Sequence, residues 1–205
     1  MAKSRKPLTP RTTPRRTDAP EPTLAADSLV GDLRTLIESA REQTARAVNS
    51  ALVGLYWSIG RRIRQDVLRE KRAEYGEKLV QELAKLLTME YGRGFGPRNL
   101  FRMIRFAECF SDKQIVSALS AQLAWSHFVE LISIDDPLKR DFYAEMCRIE
   151  RWSTRTLRQK IGHLLYERTA LSKKPDALIA DDIAALRDED RMTPDLVFRD
   201  PYFLD

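Results

Sequence analysis

The fold is decided by residues 75–110, which read YGEKLVQELAKLLTMEYGRGFGPRNLFRMIRFAECF. Leucines recur at three- and four-residue steps in the first half of this stretch, which is the spacing of one buried helix face. Glycines then break the helix, and Pro97 is well placed as the first residue of the next one. The stretch predicts two helices, about Tyr75–Tyr91 and Pro97–Phe110, joined by a glycine-containing turn. The first should bury Leu79, Leu83, Leu86 and Leu87.

The sequence before this stretch predicts one long helix, or two nearly collinear ones, starting near Ser28. Apolar residues follow helical steps of three and four from Leu29 to Val67. So long a stripe exceeds what a small domain usually buries. It therefore requires either a helical hairpin partner, which we favour slightly, or a homodimer seam.

The sequence after this stretch carries a series of helix starts and no alternating strand pattern. Ser, Asp and X-Pro positions precede apolar-periodic segments, as expected for helix N-termini. We therefore predict an all-α fold: a helical bundle with a long N-terminal helix and a helix-turn-helix-like element. The further helices are expected from Asp112 to Leu119, around Ser126 to Ile132, from Asp136-Pro137 to Glu150, from Ser153 to Arg168, and from Lys174-Pro175 to Arg187.

Charge and proline content divide the chain into three parts. The net charge of +5 combines +4 in residues 1–26, +7 in residues 27–174 and −6 in residues 175–205. Residues 1–26 hold five of the ten prolines among Lys, Arg and Thr, a composition that cannot build a core. We predict a disordered basic arm over 1–26, a helical domain over 27–190 and a junction over 191–205.

Secretion and membrane insertion are not expected. No run of eighteen apolar residues occurs, and the first thirty residues lack the apolar stretch of a signal peptide. Cys109 and Cys147 both lie on apolar-patterned helices, where a free buried thiol is common. We expect a cytoplasmic protein without a disulfide.

The predicted turn and the helix after it are the main candidate for function. Between Gly92 and Ala107 the chain has four arginines and no acid. Three of these arginines follow steps of four and three and so share one helix face, while Phe101, Ile104 and Phe106 lie largely elsewhere. Arginine suits both phosphates and guanine edges. The candidate DNA-binding residues are Arg93, Arg98, Asn99, Arg102 and Arg105.

A simpler explanation of this stripe is a solvated helix face, because surface helices usually carry charge opposite their apolar side. Two other basic clusters carry less weight. The first, near the end of the long helix, is explained by the helix dipole; the second is diluted by Glu145 and Glu150. The first comprises Arg61, Arg62, Arg64, Arg69, Lys71 and Arg72. The second comprises Arg148, Arg151, Arg155, Arg158 and Lys160.

No catalytic, metal-binding or cofactor-binding motif is found in the sequence. His127 and His163 are the only histidines, and neither has the neighbours of a metal site. The glycines at 92–96 lie between two helices and lack a Walker lysine, so they do not predict a phosphate loop. Asp135-Asp136 is a helix cap, and Asp188-Glu189-Asp190 has no accompanying strand or lysine as a nuclease centre would.

Several motifs resemble the N-terminal domain of YhcG-like proteins, a family domain of unknown function. The resemblance covers roughly Leu29 to Asp205. In that family the domain usually precedes a PDDEXK nuclease domain, which implies a DNA-associated context here. The motifs are Ala47-Val48-Asn49-Ser50-Ala51-Leu52-Val53, Tyr56-Trp57-Ser58-Ile59-Gly60, Tyr75-Gly76, Tyr91-Gly92-Arg93-Gly94-Phe95, Arg98-Asn99-Leu100-Phe101-Arg102-Met103, Trp125-Ser126-His127-Phe128 and Phe142-Tyr143.

Two hypotheses follow from these observations. The leading one is a non-catalytic module that binds DNA or targets a nuclease to it, with phosphate contacts added by the N-terminal arm. The alternative is a protein-interaction module that forms a homodimer or docks a nuclease domain or chain without touching nucleic acid. An enzyme acting through these residues alone is not expected, because no acid–base pair or ligand set is found.

Overall fold

A computed structural model of the chain describes residues 24–69, 73–168 and 175–189. This part of the chain is helical and contains no strand, which confirms the all-α prediction. Two short 3-10 turns lie at Arg93–Phe95 and Tyr166–Arg168. The helices are α1 (Leu24–Arg69), α2 (Ala73–Tyr91), α3 (Pro97–Cys109), α4 (Lys113–Ser120), α5 (Trp125–Leu131), α6 (Pro137–Glu150), α7 (Thr154–Gly162) and α8 (Asp176–Glu189).

The predicted arm and junction lie mostly or wholly outside these ranges. Of residues 1–26 only the last three are described, as the start of α1, and none of residues 191–205 is. Among the helices that are described, none is both long and apolar enough to cross a bilayer.

The long N-terminal helix is confirmed as one continuous helix, α1. The chain divides into two units, residues 1–41 and 42–205. In the first unit, Leu29, Leu33 and Leu36 expose about half or more of their surface. The helical partner that we favoured for the whole stripe is confirmed only for its second half, where Ile63 is buried with Val80 of α2 and Met103 of α3.

The core lies in the second unit. The larger of two clusters contains Phe106, Phe128 and Tyr143, together with Ile183 and Leu186 from α8. The smaller joins α1, α2 and α3 through Tyr56, Val80, Ala84 and Met103, among others. The aromatic residues of α5 and α6 thus pack in the core.

Three helix starts form as their capping residues predict. A carboxylate oxygen of Asp112 accepts a hydrogen bond from the backbone N–H of Gln114 at 2.7 Å. Asp136 accepts one from Leu138 at 2.9 Å, and Pro137 takes the first helical position of α6. The hydroxyl of Ser153 accepts from the N–H of the third residue after it at 3.1 Å. Each cap satisfies an N–H that the helix itself leaves free.

Two sequence predictions are wrong. The helix from Ser153 ends at Gly162 and does not reach Arg168, because Leu164 takes a left-handed conformation with φ of 52° and a 3-10 turn follows. Leu86 is 64% exposed, whereas the buried positions of α2 include Val80 and Ala84. A spacing pattern predicts the buried face of a helix only to within one residue position on either side. In α2 the smaller side chains, Val80 and Ala84, take the buried positions.

Helix α8 is attached to α6 through a buried carboxylate. Glu145 is 1% exposed, and its two oxygens accept hydrogen bonds from Arg148 and Arg187, each at 2.7 Å. Arg148 also donates to the backbone carbonyl of Leu186 at 3.1 Å. These contacts compensate the desolvated charge of Glu145, which would otherwise be costly to bury.

Candidate nucleic-acid interface

The turn between α2 and α3 is built around a glycine in a left-handed conformation. Gly92 has φ of 91°, and its N–H donates to the carbonyl of Thr88 at 3.0 Å, which ends α2. A side chain at this φ would strain the backbone. One 3-10 turn follows, and Pro97 then opens α3. The turn thus separates two helices that pack against each other.

Asn99 and Trp125 hold this turn in place. The side-chain amide of Asn99 donates to the carbonyl of Gly94 at 2.6 Å, and its oxygen accepts the indole N–H of Trp125 at 3.2 Å. The ring of Tyr56 on α1 packs edge-on against Trp125 and Phe95, with centroid distances of 4.9 and 6.4 Å. Asn99, which the sequence indicated as a DNA contact, is thus engaged inside the protein.

The predicted arginines differ in their surroundings. Arg93 and Arg98 are exposed and Arg102 is partly exposed. Within the part of the chain that the structure describes, none of the three guanidinium groups has a hydrogen bond or ion pair. Arg105 lies 3.0 Å from Asp135 and 3.6 Å from Glu108, measured between guanidinium nitrogens and carboxylate oxygens. Three arginines are therefore available to an anionic ligand, and the fourth is already paired.

Phe101 lies among these arginines on α3. It follows Arg98 by three residues and precedes Arg105 by four, so it shares their side of the helix, and it is 40% exposed. Phe106, by contrast, is buried and Ile104 half-buried. The sequence prediction placed Phe101 largely elsewhere, although its spacing could have revealed this position. We call Arg93, Arg98, Arg102 and Phe101 together the α3 surface.

An exposed tyrosine precedes the turn. The ring of Tyr91 is 5.9 Å from that of Phe95, measured between centroids, and 61% of the residue is exposed. A hydrogen bond from its hydroxyl to Glu90, together with the charge of that carboxylate, raises the pKa of Tyr91. The phenol therefore remains protonated at neutral pH, and its one proton is engaged by the carboxylate of Glu90. Sequence analysis did not include this residue in the site.

In the two other basic clusters, most of the side chains that the structure describes are paired; the side chains of Arg69, Lys71 and Arg72 are not among those described. On α1, Arg61 lies over the ring of Trp57 at 5.3 Å, Arg62 is 2.6 Å from Asp66, and Arg64 is 3.7 Å from Glu108. In the second of these clusters, Arg148, Arg158 and Lys160 contact Glu145, Glu130 and Trp152, respectively. Only Arg151 and Arg155 of that cluster have no side-chain partner among the described residues. These contacts are sufficient structural reasons for most of their charges.

A cleft of about 420 Å³ lies away from the α3 surface and has no reactive group. Burial raises the pKa of the Cys147 thiol to about 12, so this sulfur stays protonated at neutral pH. Arg46 pairs with Glu42 at 2.5 Å, and Asn49 donates to the carbonyls of Ser120 and Leu123. Of the residues that line the cleft, Asn49 thus attaches α1 to the end of α4 and to the residues that follow it.

The fold and this surface define an all-helical module with a helix-turn-helix-like element. Residues 32–168 match the DUF1016 N-terminal domain, and the chain belongs to that family. It is 31% identical over 200 residues to the protein described as "Putative nuclease YhcG" from Escherichia coli (strain K12). This match covers 83% of the present chain and 52% of the relative, so the chain spans about half the length of that relative. No solved structure matches the present chain.

Proposed function

We propose that this chain is a non-catalytic DNA-binding module that targets a YhcG-like nuclease to its substrate. One observation carries the proposal: α3 presents arginines without partners on a helix whose position is fixed by the rest of the fold. Within the described chain, the two other basic clusters contain mostly paired side chains. Unpaired arginines on a rigid helix suit phosphate binding, because the protein need not break an ion pair or order a loop first.

The proposed contact follows the geometry of helix-turn-helix proteins. The first turn of α3 enters the major groove, where Arg98 and Arg102 bind phosphates or the acceptor edge of guanine. Phe101, between them, contacts the methyl group of thymine. The turn preceding α3 adds Arg93 as a phosphate ligand. Asn99 acts as a positioning residue, since its amide holds the turn that orients these side chains.

The relative supports the connection with a nuclease. It is described as a "Putative nuclease" and is about twice as long as the aligned region, so the present chain corresponds to one part of it. In this proposal the cleaving centre lies outside the present sequence, either in a linked domain or in a separate chain. The basic segment 1–26 adds phosphate contacts to those of α3.

The test is the binding of labelled duplex DNA, followed by fluorescence anisotropy across a salt series. Arg98→Ala/Arg102→Ala is expected to weaken binding by about tenfold or more and to lower the salt slope by about one to two, because up to two phosphate contacts are lost. The matched control is Arg155→Ala/Arg168→Ala, which removes the same charge from exposed positions outside the α3 surface. Deletion of residues 1–26 measures the contribution of the arm.

The comparison between the two double variants decides the proposal. If both weaken binding equally, the affinity reflects overall charge and the α3 surface is not a site. If the wild type does not bind duplex DNA at low salt, the interaction-module hypothesis replaces the proposal. Cleavage of plasmid DNA by the purified chain with Mg²⁺ would contradict its non-catalytic part.

A further inference from the structure

Among the residues that the structure describes, the first unit of the chain exposes an apolar arc on α1. Five large side chains on the N-terminal part of α1 are between 43% and 67% exposed. At the 100° step of an α-helix they all fall within an arc of about 120°. A helical segment of this length gains little stability from its own hydrogen bonds, so such an arc calls for a covering partner. The five are Leu29, Val30, Leu33, Leu36 and Ile37.

We propose that this arc is covered by the same arc of a second copy of the chain, with the two helices parallel. The charged residues that border the arc are the reason for choosing a second copy in the parallel orientation. Asp32 lies at one edge, and Arg34 and Arg41 lie at the other. Within the described part of the chain, neither the Asp32 nor the Arg34 side chain has a hydrogen bond or an ion pair. The positions that border the arc thus carry Asp32 on one side and Arg34 and Arg41 on the other, whereas Asp27 and Glu38 lie further from the arc, beyond the arginines.

Only the parallel arrangement matches these edges. In a parallel pair related by a two-fold axis, the acidic edge of each helix meets the basic edge of the other, so Asp32 faces Arg34 of the second copy twice. In an antiparallel pair, like edges meet, and the arginines of one helix approach those of the other. Five such side chains per copy would bury on the order of a few hundred Å² per copy, which is below the standard interface size of about 800 Å² per partner and predicts a reversible dimer.

The inference is independent of DNA binding by α3. If both hold, one assembly carries two DNA-binding surfaces, and its avidity for a DNA with two sites exceeds the affinity of a single copy.

The test is the oligomeric state of the full chain, measured by sedimentation equilibrium over a concentration series. The wild type is expected to dimerise reversibly, and Leu33→Glu/Leu36→Glu to shift the midpoint to at least tenfold higher concentration. Leu178→Glu is the matched control, since this leucine is 51% exposed on α8. A wild type that remains monomeric, or a dimer unaffected by the double variant, would overturn the proposal.

A charge exchange keeps the test valid even if the double variant unfolds α1. Asp32→Arg alone sets arginine against arginine, and Arg34→Asp alone sets aspartate against aspartate, so each variant should dimerise several-fold more weakly than wild type. When the two variants are mixed, both ion pairs are restored between unlike chains, and the mixture should associate as tightly as wild type. A mixture no tighter than its components would exclude the parallel pairing.

Discussion

The backbone of Gly60 in α1 packs directly against the carbonyl group of Met103 in α3: a Cβ atom at position 60 would lie 1.8 Å from that oxygen and 2.9 Å from the nitrogen of Ile104. Both neighbours are backbone atoms within a helix, so neither can move aside as a flexible side chain would. The two helices approach closely because position 60 has no side chain. This contact fixes the position of α3 along the axis of α1, and with it the position of the α3 surface.

Gly60→Ala is therefore expected to destabilise the protein by about 2–3 kcal/mol, because the added methyl forces α1 and α3 apart. Urea unfolding at constant pH measures this change. Gly54→Ala in the same helix is the control, since a Cβ there meets nothing within 4 Å. In that variant the higher helix propensity of alanine should stabilise the protein by up to about 1 kcal/mol. Equal effects at the two positions would contradict the close packing of α1 and α3.

Asn99→Ala is expected to lower both stability and DNA affinity without changing the salt slope. The variant removes the hydrogen bonds to Gly94 and Trp125, which costs about 1–2 kcal/mol, but it removes no charge that could release a counterion. Trp125→Phe removes the indole donor. If Asn99 and Trp125 act as a pair, the double variant should cost less than the sum of the single variants. A loss of DNA affinity without any loss of stability would indicate a direct contact of Asn99 with DNA instead.

Some features of this site could be predicted from the sequence, and others could not. The turn and the start of α3 were predicted because Gly92 and Pro97 constrain the backbone locally. The side-chain role of Asn99 was not, because its partner Trp125 lies 26 residues away. A one-dimensional pattern does not tell which polar group the fold brings next to an amide.

The same distinction applies to the fold. Helix starts at Asp112 and Asp136 were predicted correctly, since a cap bonds an N–H two or three residues further on. The buried Glu145 was considered only as a charge that dilutes a basic cluster. Its role depends on Arg187, 42 residues later, and therefore on how α8 packs against α6. Leu164 was expected inside a helix because leucine carries no signal for a left-handed conformation.

Asp135→Asn is expected to increase DNA affinity several-fold. Asp135 holds Arg105 at 3.0 Å, next to the α3 surface, and its side chain is 95% exposed. Loss of this carboxylate charge leaves Arg105 with Glu108 as its one acidic partner among the described residues and removes a repulsion toward phosphates. Stability should change by less than about 1 kcal/mol, as for other exposed ion pairs. The anisotropy assay measures the gain, and Asp181→Asn, which removes an exposed charge on α8, controls for net charge.

Glu145→Leu is expected to cost about 3–5 kcal/mol, because Arg148 and Arg187 then lose their common buried acceptor. The loss should be concentrated in the attachment of α8. Hydrogen exchange should therefore accelerate in α8 more than in α3, whose core contacts do not include Glu145. Exposed Glu150 provides the control Glu150→Leu, for which a change below about 0.5 kcal/mol is expected. Uniform acceleration across all helices would show that α8 does not unfold separately.

Stability is expected to fall as the pH rises above 9, partly because of Cys147. Burial raises the pKa of this thiol from its usual 9.0 to about 12, and no cation compensates. Below pH 9 the thiol is protonated in both states. Between pH 9 and 12 the unfolded chain loses a proton that the folded chain retains, so deprotonation favours unfolding.

Urea unfolding at several pH values from 8 to 10.5 measures whether the free energy of unfolding falls as the pH rises. Tyr143 and Tyr166 also have pKa values raised by burial and contribute a decline of their own. The informative quantity is therefore the difference between wild type and Cys147→Ala, which shares those tyrosines. The free energy of unfolding should fall less steeply with pH in the variant, even though the cavity lowers its value at pH 8. Parallel curves would mean that Cys147 ionises as readily in the folded protein as in the unfolded chain.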